Sequence, residues 1–391
     1  MEAAAAALGA LRAAFPDDSP GQLMERAIAA GDTAAVSAIA DGTELDVNAP
    51  CDPAVEDSAS PLFTALRAGD VPVASVLMGR ADVSLERSMP AYGAWDWATR
   101  APITLLELVV LRFPEAASRA DADGATLLHA AAEDPRGGDK VALLLDQPGV
   151  DPDARQADGT SPLYRAALTG DATAVRLLLA RGADPAVRNR DNAWSALMVA
   201  AAAGHADVVD ALLGAPGIEP DARGDRGQSA LHVAAEAGHA DVVAALARRA
   251  DVDAEDGEGR TALSLAAFAG HEAVVASLLS AGADPNRVDD ARRTALHWAA
   301  MGGHDGVVRS LLADPRTNTA ITDRPERQTA RDAARVAGHV AIADLLDARM
   351  HADPGSDDAP ERQPPEHDRE PGFQKKPRIP EPPGLRGRSD P

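Results

Sequence analysis

Aromatic side chains are scarce: Phe, Trp and Tyr make up 3% of a 391-residue chain whose hydrophobic content is 45%. A core of that composition is built from Ala, Leu and Val, small side chains that let helices approach closely. Cysteine is scarcer still, with Cys51 alone. This excludes an intrachain disulfide and any site of several thiolates, and it suits a reducing compartment. Long apolar runs are missing too, none approaching the ~18 residues of a membrane span. The opening stretch MEAAAAALGALRAAF carries Glu2 where a secretory signal would place Lys or Arg. The expectation is therefore a soluble, cytoplasmic chain with no membrane partner. Positive charge is the minority sign, with 38 basic against 61 acidic residues and a net charge of −23. Such a field repels phosphate backbones, which argues against nucleic acid as a partner. It favours basic partners only weakly, because salt screens it within about 8 Å. Lysine accounts for three of the basic residues, Lys140, Lys375 and Lys376. With the abundant Ala, Gly, Pro and Asp, that bias fits a GC-rich genome and carries no functional weight.

A period is present. Gly-His pairs occur at Gly204-His205, Gly238-His239, Gly270-His271, Gly303-His304 and Gly338-His339, their histidines 34, 32, 33 and 35 residues apart. Upstream of each lies a second box: Ser195-Ala-Leu-Met, Ser229-Ala-Leu-His, Thr261-Ala-Leu-Ser, Thr294-Ala-Leu-His and Thr329-Ala-Arg-Asp. Earlier copies read Thr126-Leu-Leu-His and Ser161-Pro-Leu-Tyr. Downstream come apolar runs such as Val175-Arg-Leu-Leu-Leu, then turns such as Arg181-Gly-Ala-Asp-Pro. The Ser or Thr hydroxyl caps a first helix, and Pro162 fits a first helical position where its missing N–H costs nothing. The Gly before each His takes the left-handed conformation that ends that helix. The Val-x-x-Leu-Leu stretch is the apolar stripe of a second helix, and Gly-Ala-Asp-Pro stops it.

This pattern resembles the ankyrin repeat in its period near 33, its Thr-Pro-Leu-His-type box, its Gly-His junction and its Gly-Ala-Asp exit. The resemblance implies an all-α solenoid of about 8–10 stacked helix-turn-helix units with hairpin connections. Clear copies read at 120–155, 156–189, 190–223, 224–255, 256–288 and 289–323, and a last one at 324–350 has Arg331 in place of the Leu, as suits an exposed capping repeat. Residues 20–119 read as degenerate repeats, behind a lead-in helix or cap at 1–19. Ile103-Thr-Leu-Leu-Glu reads as the box of a repeat truncated in its second helix. Insertions at 79–101, at Asp134-Pro-Arg-Gly-Gly and at Gly214-Ala-Pro-Gly fall where loops tolerate them. The first carries Tyr92, Trp95 and Trp97, either a partner anchor or, the preferred reading, a plug over ragged repeats. Residues 351–391 hold ten of the 29 prolines and almost no aliphatic side chains, and are expected to be a disordered tail. Its Lys375-Lys-Pro-Arg and Pro380-Glu-Pro-Pro are weak signals for a nuclear address or a polyproline ligand.

Nothing points to catalysis or to a cofactor. Eight of the ten histidines belong to the box or the junction, and His351 and His367 lie in or beside the tail, leaving none free for metal or proton transfer. There is no Gly-Lys-Ser/Thr phosphate loop and no Gly-x-Ser-x-Gly elbow. Gly270-His-Glu-Ala-Val-Val begins like a zinc-protease helix but lacks the second His. The recurrent Asp residues sit at turns, where they bond local backbone. The expectation is a chain that is no enzyme and takes no small-molecule substrate.

The resemblance implies a groove formed by hairpin tips and first helices, whose variable positions choose a partner protein. Five residues after the box Leu lie Leu168, Ala202, Glu236, Phe268 and Met301, and three before it lie Thr160, Trp194, Gln228, Arg260 and Arg293. Aromatic residues, Met and Arg are enriched in interface hot spots. The candidate patch is Trp194, Glu236, Arg260, Phe268, Arg293 and Met301. The competing reading packs Phe268 and Met301 on neighbouring helices and lays Trp194 over its own hairpin. Trp298, directly after the box histidine, reads as core. The expected function is an adaptor or inhibitor that binds a protein in this groove. The alternatives are a two-part adaptor whose tail recruits a second protein for signalling or degradation, and a structural homo-oligomer.

Overall fold

The computed structural model describes residues 2–42, 46–51, 59–89 and 93–352, Glu2 and the last three without their side chains. Tyr92, most of the tail and its Lys375-Lys-Pro-Arg and Pro380-Glu-Pro-Pro segments lie outside them. The described residues are all-helical, with extended pairing limited to two isolated bridges, Arg188–Ser195 and Thr322–Thr329. They divide into two compact units. One comprises the chain up to Val199 together with Asp210–Glu219, the other Ala200–Val209 together with the residues from Pro220 onward.

In the first unit the helices are α1 (Glu2–Ala14), α2 (Pro20–Ala29), α3 (Thr33–Gly42), α4 (Pro61–Ala68), α5 (Val71–Met78), α6 (Leu85–Ser88), α7 (Trp97–Arg100), α8 (Ile103–Arg112), α9 (Leu127–Glu133), α10 (Gly138–Leu145), α11 (Pro162–Thr169) and α12 (Ala172–Ala180). They pack as two rows. First helices run α2–α4–α7–α9–α11, and second helices run α3–α5–α8–α10–α12, while α1 lies against α3. The rows reassign one segment. Ile103–Arg112 packs between second helices α5 and α10, so it is a full second helix rather than the first helix of a truncated repeat. The reduced element is the first helix, a single turn at Trp97–Arg100. One turn is too short to show a helical period, and the apolar run after it imitates a box. The indoles of Trp95 and Trp97 occupy the space beside that short turn and are 2% and 5% exposed. Lys140 holds the turn from the next repeat. Its buried ammonium donates to the Ala98 and Thr99 carbonyls at 3.0 and 2.9 Å and to Asp134 Oδ2 at 2.8 Å.

Helices α13 (Ala196–Ala203) and α14 (Ala206–Leu213) carry residues of both units. The second unit continues with α15 (Ala230–Ala237), α16 (Ala240–Leu246), α17 (Ala262–Ala269), α18 (Glu272–Ser280), α19 (Ala295–Gly302), α20 (Asp305–Ala313), α21 (Ala330–Ala337) and α22 (Val340–Ala352). First helices α15, α17, α19 and α21 stack in order, and second helices α16, α18, α20 and α22 form the other row. Each first helix is capped as its sequence dictates: Thr261 Oγ1 accepts from Ser264 N–H at 3.3 Å, and Thr294 Oγ1 from His297 N–H at 3.4 Å. Each ends on a left-handed glycine. At Gly270 (φ 80°) the need is double, because an added Cβ would also stand 2.6 Å from the His304 ring.

The histidines are staples of two kinds. In the box, Nδ1 of His232 accepts the Ser229 backbone N–H at 3.2 Å. The ring proton is therefore on Nε2, which donates to the Arg260 carbonyl of the next repeat at 3.1 Å. His297 does the same with Thr294 and the Gln328 carbonyl, and His129 with Thr126 and the Thr160 carbonyl. Burial holds all three rings neutral, lowering the His129 pKa to about 4 and those of His232 and His297 in the same direction. At the junctions, Nε2 of His239, His271, His304 and His339 pairs with the carbonyls of Ala202, Glu236, Phe268 and Met301 at 2.9–3.2 Å.

Candidate partner-binding surface

The junction staples fix which residues are equivalent. Ala202, Glu236, Phe268 and Met301 each lie near the C-terminal end of a first helix, with their carbonyls held by the next repeat. Val336 stands at the same place in the last repeat. At these positions the second unit leaves three large apolar side chains in water: Phe268 at 38% exposure, Met301 at 39% and Val336 at 76%. Val336 escaped the sequence count because Arg331 stands where the box Leu marks the other repeats, although counting from Thr329 would have reached it.

Phe268 is seated on a built platform. Its ring meets that of Trp298 edge-on, centroids 5.1 Å apart at 81°. The Arg293 guanidinium lies 3.9 Å over the indole. Asp289, buried beneath the hairpin, ties the layer together: its Oδ2 accepts from Arg293 Nε at 3.1 Å and from Trp298 Nε1 at 3.2 Å. Its other oxygen accepts the backbone N–H groups of Ala291 and Arg293. Trp298 is thus half-buried and part of the surface, not core. Its spacing of three from Met301 puts the two on one helix face, a sequence signal that the adjacent box histidine masked.

The other candidate residues fall as follows. Arg260 is anchored one repeat earlier, Nε and Nη2 both donating to Asp256 Oδ2 at 2.9 and 2.8 Å, with Leu265 at the place of the indole. Glu236 is half-buried and accepts from Gln228 Nε2 at 3.3 Å, so it is the carboxylate of the row. These four candidates, Glu236, Arg260, Phe268 and Met301, and Arg293 with them, all belong to the second unit. Trp194 belongs to the first unit, half-buried, its backbone N–H donating to Asn189 Oδ1 at 2.8 Å within its own hairpin.

The first unit offers an open cavity of about 540 Å³ between Thr99–Ile103 and Asp134–Lys140. Lys140 has all three N–H bonds committed there, and carboxylates and guanidinium groups share the wall, so no single charge is selected. Among the described residues, no three His, Cys, Asp or Glu side chains are grouped to hold a metal ion. No described helix is long and apolar enough to cross a membrane.

Stacked helix pairs with a variable exposed row define a repeat scaffold of the protein-binding class. A family model described as ankyrin repeats (3 copies) matches residues 101–189, 128–224 and 197–289, and a single ankyrin repeat matches 292–324. These matches cover more than half of the chain, which belongs to the ankyrin repeat family. Among solved structures it is similar to the ankyrin repeat domain of Bcl-3, titled a unique member of the IkappaB protein family. The identity is 30% and the TM-score 0.51, over 57% of this chain and 99% of that one. No curated protein matches the chain.

Proposed function

We propose that this chain is a non-catalytic intracellular adaptor or inhibitor, and that it grips another protein through the exposed row of its second unit. The observation that carries this is the run Phe268, Met301 and Val336, apolar and solvent-facing at one equivalent position of three consecutive repeats. The scaffold covers these side chains only in part, whereas a partner's apolar residues would remove the remainder from water. The Arg293–Trp298–Phe268 platform holds the central aromatic in one orientation, which lowers the ordering cost of association. The likeness to an IkappaB-family domain supports a role in holding a protein rather than transforming one.

The test is capture from native extract by the intact chain and by Phe268→Ala/Met301→Ala, with unfolding followed in parallel. A captured protein that the double variant loses, at an unchanged unfolding midpoint, is the expected result. Equal capture by both chains would place the binding surface elsewhere.

A further inference from the structure

Two consecutive hairpins of the second unit share a backbone and differ in where they place a carboxylate. In each, a buried aspartate folds the turn. Asp256 Oδ1 accepts the backbone N–H groups of Glu258 and Arg260, both at 2.9 Å, and Asp289 Oδ1 accepts those of Ala291 and Arg293 at 2.9 and 2.8 Å. The left-handed residue is Gly259 (φ 72°) in the first and Arg292 (φ 58°) in the second. Glu258 and Ala291 are therefore equivalent, as are Arg260 and Arg293. The first arginine is answered at all three nitrogens: Asp256 takes Nε and Nη2, and Glu258 Oε2 stands 3.3 Å from Nη1. The second is answered at Nε alone, by Asp289. Its Nη1 and Nη2 have no hydrogen-bond partner among the described residues, since alanine stands where the repeat before has its glutamate.

Two more guanidinium groups gather beside Ala291. Arg292 takes a left-handed position that glycine occupies without strain. Arg324, exposed on the next hairpin, donates its backbone N–H to the Ala291 carbonyl at 2.8 Å. Asp289 offsets one of the three charges, while Asp290, Asp323 and Glu326, the other acids of these two hairpins, pair with none of them. The Trp298 indole carries the Arg293 guanidinium at 3.9 Å and meets the Phe268 ring at 5.1 Å. A carboxylate on the Nη groups thus sits within one indole of the exposed row, and the fork that receives it is already oriented for bidentate pairing. The chain's net negative charge opposes an acidic ligand at range, but salt screens that field within about 8 Å and the fork acts at contact.

We propose that the bound element of the partner is an acidic, apolar peptide segment. The carboxylate of an Asp or Glu seats on Nη1 and Nη2 of Arg293, supplying the charge that Glu258 supplies one repeat earlier, and a neighbouring apolar side chain packs on Phe268 and Met301. This deepens the partner-binding reading above and rests on it for the apolar contact.

The test pans a phage-displayed library of random peptides on the full chain and titrates the enriched peptides against the parent and its variants. They should share an Asp or Glu beside an apolar residue, and changing that acid to its amide should weaken binding about fivefold, the weight of one exposed ion pair. Ala291→Glu restores the missing carboxylate within the chain. It should weaken the acidic peptides to the same extent, abolish their advantage over the amides and leave the denaturant midpoint unchanged, whereas Ala291→Gln should keep the advantage. Peptides without a shared carboxylate, or an acid preference that survives Ala291→Glu, would overturn the inference. If those peptides were still lost with Phe268→Ala/Met301→Ala, the partner surface would stand without it. Acid-dependent peptides indifferent to that double variant would keep the Arg293 seat and sink the apolar row. A library that yields no ligand would rule out the segment, leaving the capture experiment to judge the surface.

Discussion

The two units spend their few large aromatics in opposite ways. In the first, Trp95 and Trp97 are buried where a first helix is cut to one turn, and they supply volume that a longer helix would have given. In the second, the helices are complete and the core is closed by Ala, Leu and Val, so Phe268 and Trp298 are left at the surface. Trp95 and Trp97 thus repair an irregular repeat, whereas Phe268 and Trp298 are a surplus available for contact.

The comparison is broken most sharply by truncating each kind. Trp95→Ala or Trp97→Ala should cost about 3–5 kcal/mol, the usual loss for a buried large aromatic, read as a lowered denaturant midpoint of the first unit. A loss below about 1 kcal/mol would show that the short turn does not depend on its indoles. Next in size is the pH response. His129, His232 and His297 are held neutral in the folded chain, their pKa values lowered by burial from an ordinary 6.5. Their contribution is complete above pH 6.5 and is lost as pH falls from there towards about 4 for His129. Each ring can remove up to about 1.4 kcal/mol per pH unit in that window, measurable as denaturant midpoints between pH 7.5 and 5. A flat profile there would contradict the box staples.

Lys140→Met should cost about 2 kcal/mol, because it deprives two carbonyls and a carboxylate of one shared cation, and the loss should again fall on the first unit. Smallest in stability is Phe268→Ala/Met301→Ala, expected within about 1 kcal/mol of the parent, since both side chains are already more than a third exposed. A larger loss would mean that these residues hold the stack together, and the contrast between repair and surplus would fail.

Much of this was legible in the sequence because the repeat is written in residues with local physical duties. Thr294 and Thr261 had to cap, Gly270 had to turn left-handed, and the box and junction histidines had to recur. Four features were hidden. The single turn at Trp97 is too short to show a period, so the apolar helix after it was taken for a box. Trp298 stands beside a core histidine, yet its own side chain leans outward onto Phe268, a direction that spacing from the histidine does not reveal. Val336 was lost with the missing Leu at Arg331. The buried Asp289 that joins Arg293 to Trp298 read only as another turn aspartate, because its second partner comes from nine residues away.

The most direct test of the central claim is the oxidation rate of Met301, with the buried Met198 as an internal control. It would be measured in the free chain and in the purified partner complex. The account predicts ready oxidation of Met301 in the free chain and protection in the complex, with Met198 slow throughout. Met301 oxidised as fast in the complex as in the free chain would show that the exposed row of the second unit is not where the partner binds.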